Sequence, residues 1–340
     1  MADKDVILRA DHVKKYFPIT SSFLKRHIGN VYAVDDVSVF VREGETFGLV
    51  GESGCGKTTL GRTILRAIEP TGGTCMFKKK DGTEVDVFKQ NPQQLREIRR
   101  DMQMIFQDPY ASLDPRMIIR DIVGEPLVYN SNLSKNEITD RVKELMAQVG
   151  LNPRHLERYP HAFSGGQRQR VGIARALATD PKFIVCDEAV SALDVSVQAQ
   201  VINLLGKLQR DLNLSYMFIS HDLSVVHHIS DRVGVMYVGK MVELGTSEEI
   251  FGHPLHPYTE ALLSAKPIAD PRIHNEKILL EGEIPNPAKP PEGCYFHPRC
   301  RYCTKKCKEV APEYRELSKD HFVACHRAEE LTLRSVYREV

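Results

Sequence analysis

The sequence predicts an α/β fold with a central, mostly parallel sheet and a small cysteine-rich, metal-binding domain toward its C-terminal end. Three features predict it. A glycine-rich loop, Gly51–Thr59, joins a short apolar strand to a helix. Two near-continuous apolar runs, Phe183–Cys186 and Tyr216–Ile219, have the composition of parallel strands buried on both faces. Five of the eight cysteines fall between Cys294 and Cys325.

The 340 residues suffice for two or three domains at roughly 150 residues each. Apolar residues make up 42% and charged residues 27%, which is ordinary for a soluble globular protein and too apolar for a disordered one. Forty-six basic residues against 45 acidic ones leave a formal charge of +1, so no broad basic field for nucleic acid exists. No apolar run approaches the ~18–20 residues of a membrane span. The start, Met1-Ala2-Asp3-Lys4-Asp5, lacks the apolar core of a signal peptide, which predicts a cytosolic chain.

In chain order, the first 45 residues read as β-rich. Val31–Val34 and Val37–Val41 are predicted strands separated by Asp35-Asp36 and closed by Glu43-Gly44. Thr46–Val50 is a short apolar strand running into the glycine-rich loop. Residues from about 90 to 180 read as mainly helical. There Ser134 and Glu137 form a capping-box pattern ahead of Ile138, Val142, Leu145 and Val149, and Gly150 and Pro153 stop the helix. The two buried strands end in Asp187-Glu188 and Ser220-His221-Asp222, at the carboxyl ends where open α/β sheets bind ligands. Six prolines between Pro267 and Gly293 mark a linker, and no internal repeat is present.

Gly51-Glu52-Ser53-Gly54-Cys55-Gly56-Lys57-Thr58-Thr59 matches G-x-x-x-x-G-K-[ST] between strand and helix. Gly51, Gly54 and Gly56 let the backbone curl, so that consecutive amides through Ser53 and Cys55 point at phosphate oxygens. The helix N-terminus adds its partial positive charge. Lys57 brings a point charge to the outer phosphates, Thr58 a hard oxygen for Mg²⁺, and Thr59 a hydroxyl for an inner phosphate. Asp187 is the natural anchor of that Mg²⁺. By strand alternation Glu188 points to the opposite side, able to orient a water. His221 is placed to hydrogen-bond a terminal phosphate oxygen. Ser164 and Gln167 form a second capping box, and the intervening Gly165-Gly166 leaves orphan helix amides open to an external anion.

Taken together these residues resemble the ATP-binding subunits of ABC transporters over nearly the whole chain. The phosphate loop, Gln107 in Phe106-Gln107-Asp108-Pro109, Ser164–Gln167, Asp187-Glu188, Ser191-Ala192-Leu193-Asp194 and His221 occur in the family's order. The resemblance implies an ABC-type phosphate-loop ATPase with an N-terminal antiparallel β part and a helical subdomain at about 108–180, all within residues 1–265. A linker at 266–293 and a cysteine-rich extension at 294–340 follow. It further implies a head-to-tail pair of ATPase domains, each ATP sandwiched between one phosphate loop and the partner's signature Ser164–Gln167, with Asp194 at the junction. Gln107 would be a Mg²⁺ ligand and coupling residue, Glu188 the base, and His221 a terminal-phosphate contact. Adenine would stack on Phe17 in preference to Tyr16. Ala189 stands where the family often has proline, which leaves the chemistry untouched.

Phe106–Leu113, Gly165–Gly172, Ser220–Val226 and the segment from His256-Pro257-Tyr258 narrow the resemblance to oligopeptide and dipeptide importers, F-type subunit. That implies a D-type ATPase subunit as mate, two transmembrane permeases, an extracytoplasmic peptide-binding protein, and a peripheral place on the cytoplasmic face of the membrane. Nucleic acid is no expected partner. Alternatives are a soluble ATPase of the same fold and an importer of another solute such as a nickel chelate.

Cys294, Cys300, Cys307 and Cys325 are spaced C-x5-C-x6-C-x17-C, unlike the paired cysteines of a zinc ribbon. Four thiolates suit either Zn²⁺ or an iron–sulfur cluster. The importer resemblance implies a [4Fe–4S] cluster on these four. Cys303 is additional and could form C-x2-C with Cys300, and His297, His321 or His326 could enter a zinc site; reduced structural thiols or disulfides are the remaining alternative. The tail is expected to be structural, with redox or iron sensing as the alternative.

Overall fold

A computed structural model describes residues 6–21, 26–265 and 277–335. The first part of the expected linker, 266–276, and the extreme tail, 336–340, lie outside the described residues. The chain forms two compact units. One gathers Phe40–Thr46 and Met76–Ser220, and the other gathers Arg9–Val39, Phe47–Cys75 and the chain from His221 onward.

In the first unit, strands Met102–Ile105, Phe183–Asp187 and Ser215–Ile219 run parallel, with Met102 opposite Phe183 and Asp187 opposite Ile219. Every residue of the last two is buried, as their unbroken apolar composition requires. Helices Ile119–Asn130, Lys135–Gln148 and Gly165–Leu177 pack on one another. Lys135–Gln148 starts at the Ser134/Glu137 capping box, buries Val142, Leu145 and Met146, and is followed by Gly150 at a φ of 72°.

In the second unit, Phe47–Val50 pairs in parallel with Arg232–Tyr237, and Lys240–Thr246 turns back antiparallel to it. Two strands from the C-terminal segment extend this array: His321–Val323 pairs with Lys240–Thr246, and Arg315–Ser318 with His321–Val323. The Glu243 carboxylate, fully buried, accepts from Leu255 N at 2.7 Å, His256 N at 3.0 Å and His321 Nε2 at 2.9 Å. A buried charge is tolerable only when satisfied in this way. Phe296 packs edge-on against Tyr237 and Tyr258, with centroids 5.2 and 5.4 Å apart. The tail thereby gains an apolar anchor in the body of the unit.

One expectation is corrected. Asp35-Asp36 does not separate two strands, because His27–Arg42 is a single strand. Asp36 takes a left-handed φ of 62°, a conformation Asp tolerates, so the strand passes through it. Asp35 instead acts as a junction, accepting from Tyr16 Oη at 2.7 Å, Lys240 Nζ at 2.9 Å and Tyr295 Oη at 3.1 Å. Among the described residues, no helix is long and apolar enough to cross a membrane.

Candidate functional site

The phosphate loop lies in the second unit and leads into helix Lys57–Ile64. Gly51 and Gly56 have φ of 149° and 106°, outside the range of L side chains. A Cβ on Gly51 would collide with the Met236 carbonyl, and one on Gly56 with the Ala33 carbonyl. Gly56 as N-cap offers no side-chain cap to the helix amides. Lys57 is buried, and its Nζ donates to Gly51 O at 2.8 Å and Glu52 O at 3.0 Å, which places the ammonium inside the curl. Thr58 and Thr59 occupy the first helical turn. Ser53 and Gly54 are exposed, while Cys55 is buried and its thiol is pushed up by desolvation. The result is an amide-lined, cation-centred cup of the kind that binds phosphate.

In the first unit, Asp187 ends its strand fully buried. Glu188 follows in a left-handed conformation, φ 47°, and its N–H donates to Ile219 O at 3.0 Å. Strand alternation therefore does not orient Glu188; a strained turn does. Gln107 Nε2 donates to Glu188 Oε2 at 2.7 Å, so these two expected site residues meet directly. The signature helix is Gly165–Leu177. Ser164 Oγ accepts from Gln167 N at 3.3 Å, and Gln167 Oε1 from Ser164 N at 3.0 Å. Gly166 is required by clearance, because its Cβ would collide with Val197. Asp194 caps helix Val195–Leu212, accepting from Val197 N at 3.0 Å and Ser196 Oγ at 2.8 Å. The Val197 amide holds the Asp194 carboxyl below its ordinary range.

The aromatic candidates differ. Tyr16 commits its hydroxyl to Asp35 and packs edge-on against Tyr32 at 4.8 Å. Phe17 is 37% exposed, with Lys15 Nζ 4.8 Å from its ring centre. His221 is exposed, one residue before the Asp222 cap of helix Leu223–Ile229.

Cys294, Cys300, Cys307 and Cys325 line one small cavity of about 20 Å³, with His297 and His326 also on its wall. Cys294 N donates to Cys307 O at 2.8 Å, and a Cβ at Gly293 (φ 65°) would collide with that same carbonyl. Cys303 lies off the cavity and donates to Thr304 O at 3.4 Å. His321 is held by Glu243 instead. All eight cysteines are free thiols. Among the described residues no three His, Cys, Asp or Glu side chains stand close enough to hold a metal ion, so the expected ligand set is not assembled at bonding distance. Burial pushes the Cys294 thiol up to about 12 and the Cys300 thiol up to about 11. The donor chemistry still fits a thiophilic centre: four cysteines line one cavity, and Arg327 N donates to Cys325 Sγ at 3.4 Å.

Sequence reasoning missed Arg299 and Tyr258. Arg299 pairs with Glu52 of the phosphate loop at 2.8 Å, and Tyr258 Oη accepts from Glu52 N at the same distance. No spacing signal connects residues so far apart in the chain.

The family profile described as ABC transporter matches residues 34–191. Among solved structures, the dimeric, post-hydrolysis ATP-binding cassette MJ0796 bound to ADP and Pi superimposes with a TM-score of 0.61 at 27% identity. It covers 71% of this chain and 98% of that one. The chain is thus an ABC-type phosphate-loop ATPase, the ATP-hydrolysing component of a transporter. A second profile, oligopeptide/dipeptide transporter, C-terminal region, matches residues 242–307. The oligopeptide transport ATP-binding protein AppF of Bacillus subtilis is 53% identical over 327 residues, 96% of this chain and 98% of that protein. OppF of Salmonella typhimurium is 54% identical over 304 residues, 88% and 89% of the two. The chain belongs to the family of oligopeptide and dipeptide transport ATP-binding proteins.

Proposed function

We propose that this chain is the F-type subunit that hydrolyses Mg-ATP to drive oligopeptide or dipeptide import. The observation that carries the reading is 53% identity to AppF over 96% of this chain, joined to a phosphate loop in which Gly51 and Gly56 leave no room for a Cβ. In it, the loop amides of Gly51 to Gly56, Lys57 and Thr59 bind phosphates, and Thr58 and Gln107 ligate Mg²⁺ with Asp187 as anchor. Glu188 orients the attacking water and His221 contacts the terminal phosphate. Phe17 stacks on adenine, since the Tyr16 hydroxyl is already engaged by Asp35. Ser164, Gly165, Gly166 and Gln167 serve the ATP of a paired D-type subunit, with Asp194 at the junction. The pair works on two permeases supplied by an extracytoplasmic peptide-binding protein, at the cytoplasmic face of the membrane.

Cys294, Cys300, Cys307 and Cys325 hold a [4Fe–4S] cluster in this reading, with Cys303 outside it. Four bonds to one centre would draw the sulfurs together and staple the tail. Anaerobically purified protein should absorb near ~400 nm; colourless protein with stoichiometric zinc selects Zn²⁺ instead. The central test is Glu188→Gln. It should keep MgATP binding while hydrolysis by the assembled transporter falls about 100-fold or more. Unchanged turnover removes Glu188 from its role.

A further inference from the structure

We infer that Arg299, from the cysteine-rich tail, is a positioning residue for the phosphate loop and acts through Glu52. The Arg299 side chain is only 7% exposed and grips the Glu52 carboxylate with two nitrogens, Nη1 to Oε2 at 2.8 Å and Nη2 to Oε1 at 3.1 Å. This is the bidentate fork that makes an arginine–carboxylate pair both strong and oriented. Nη1 also donates to Tyr237 Oη at 3.3 Å, and Arg299 N donates to Phe296 O at 3.0 Å. Since Phe296 is buried against Tyr237 and Tyr258, the guanidinium stands on a rigid base.

Glu52 is held at every polar group. Its N–H donates to Tyr258 Oη at 2.8 Å, and its carbonyl accepts from Lys57 Nζ at 3.0 Å and Cys55 N at 3.3 Å. Its carboxylate belongs to Arg299. One residue therefore ties the tail to the cation and the curl of the loop.

The inference rests on the reading that Gly51–Thr59 binds the phosphates of ATP. Under it Arg299 does two things. It neutralises a carboxylate placed within a loop that must accept a polyanion, where a like charge is repulsive. It also fixes the loop backbone before the ligand arrives, which lowers the ordering cost of binding. Both effects act on nucleotide affinity and leave the hydrolytic step alone.

The test uses full-length protein, calorimetric titration with MgATP, and a nucleotide-free melting curve for each variant. Arg299→Ala should weaken MgATP binding ~10-fold and Arg299→Lys by less; Glu52→Gln, which loses the fork together with the charge, should weaken it by less than Arg299→Ala. In the Glu52→Gln background the Arg299→Ala loss should shrink to ~2-fold, because the two residues act as one unit. In the assembled transporter KM for ATP should rise while kcat stays near wild type. Unaltered affinity in Arg299→Ala overturns the inference, as does a loss that persists undiminished without the Glu52 charge. If Arg299→Ala fails to fold, Arg299→Lys in the two Glu52 backgrounds supplies the same comparison. Wild-type protein that binds no MgATP sinks the nucleotide reading itself, a different failure.

Discussion

The chain has two glycine-rich helix starts, and they use glycine for different reasons. At the phosphate loop, Gly51 and Gly56 lie at positive φ, and a Cβ on either would strike a backbone carbonyl. At the signature helix, neither Gly165 nor Gly166 has a positive φ, and the obstacle to a Cβ on Gly166 is the Val197 side chain. The first start has no side-chain cap from its N-cap residue, whereas the second closes on itself through Ser164 and Gln167. Backbone conformation is fixed by the loop in one case, and clearance between helices is fixed in the other. An anion meets uncapped amides at the phosphate loop, but at the signature helix it finds the Gln167 amide already taken.

Gly56→Ala should therefore have the largest effect. It combines a strained φ costing ~1–3 kcal/mol with a collision against backbone, which cannot rotate away. MgATP affinity should fall about 100-fold or more by calorimetry, and an alanine variant that binds normally would erase the distinction between the two starts. Gly166→Ala should cost less, ~1–3 kcal/mol in denaturant unfolding, because a side chain can yield where a carbonyl cannot. Gly166→Ala combined with Val197→Ala should recover most of that stability. If it does not, the obstacle is backbone after all and the two glycine sites are alike.

Much of this arrangement is legible in the sequence because it is local. The phosphate loop, both capping boxes and the buried strands are set by residues within a few positions of each other. The reading fails where distant residues decide. Asp35-Asp36 looks like a break, yet Asp35 is held in the strand by Tyr16, Lys240 and Tyr295. Glu188 breaks the alternation expected of it because the strand ends at Asp187 and a left-handed turn intervenes. The grip of Arg299 on Glu52 leaves no trace in pattern or period, since nothing local to either residue requires the other.

The smallest expected effect tests the self-closed character of the signature helix. Ser164 Oγ satisfies the Gln167 amide, while Gln167 Oε1 satisfies the Ser164 amide, so removing the hydroxyl frees one donor directly and loosens the other. Ser164→Ala should then destabilise the fold by ~1 kcal/mol, the usual worth of an N-cap, and Ser164→Thr should restore most of it. Denaturant unfolding with an unchanged m-value would report the loss as stability alone. MgATP binding by this chain's own phosphate loop should stay at the wild-type level, because that loop takes nothing from the Ser164 cap. A Ser164→Ala protein as stable as wild type would mean that the Gln167 amide finds another acceptor. The Ser164 cap would then not be what closes the signature helix, and the contrast between the two glycine-rich starts would rest on the positive φ of Gly51 and Gly56 and on the Val197 clearance at Gly166.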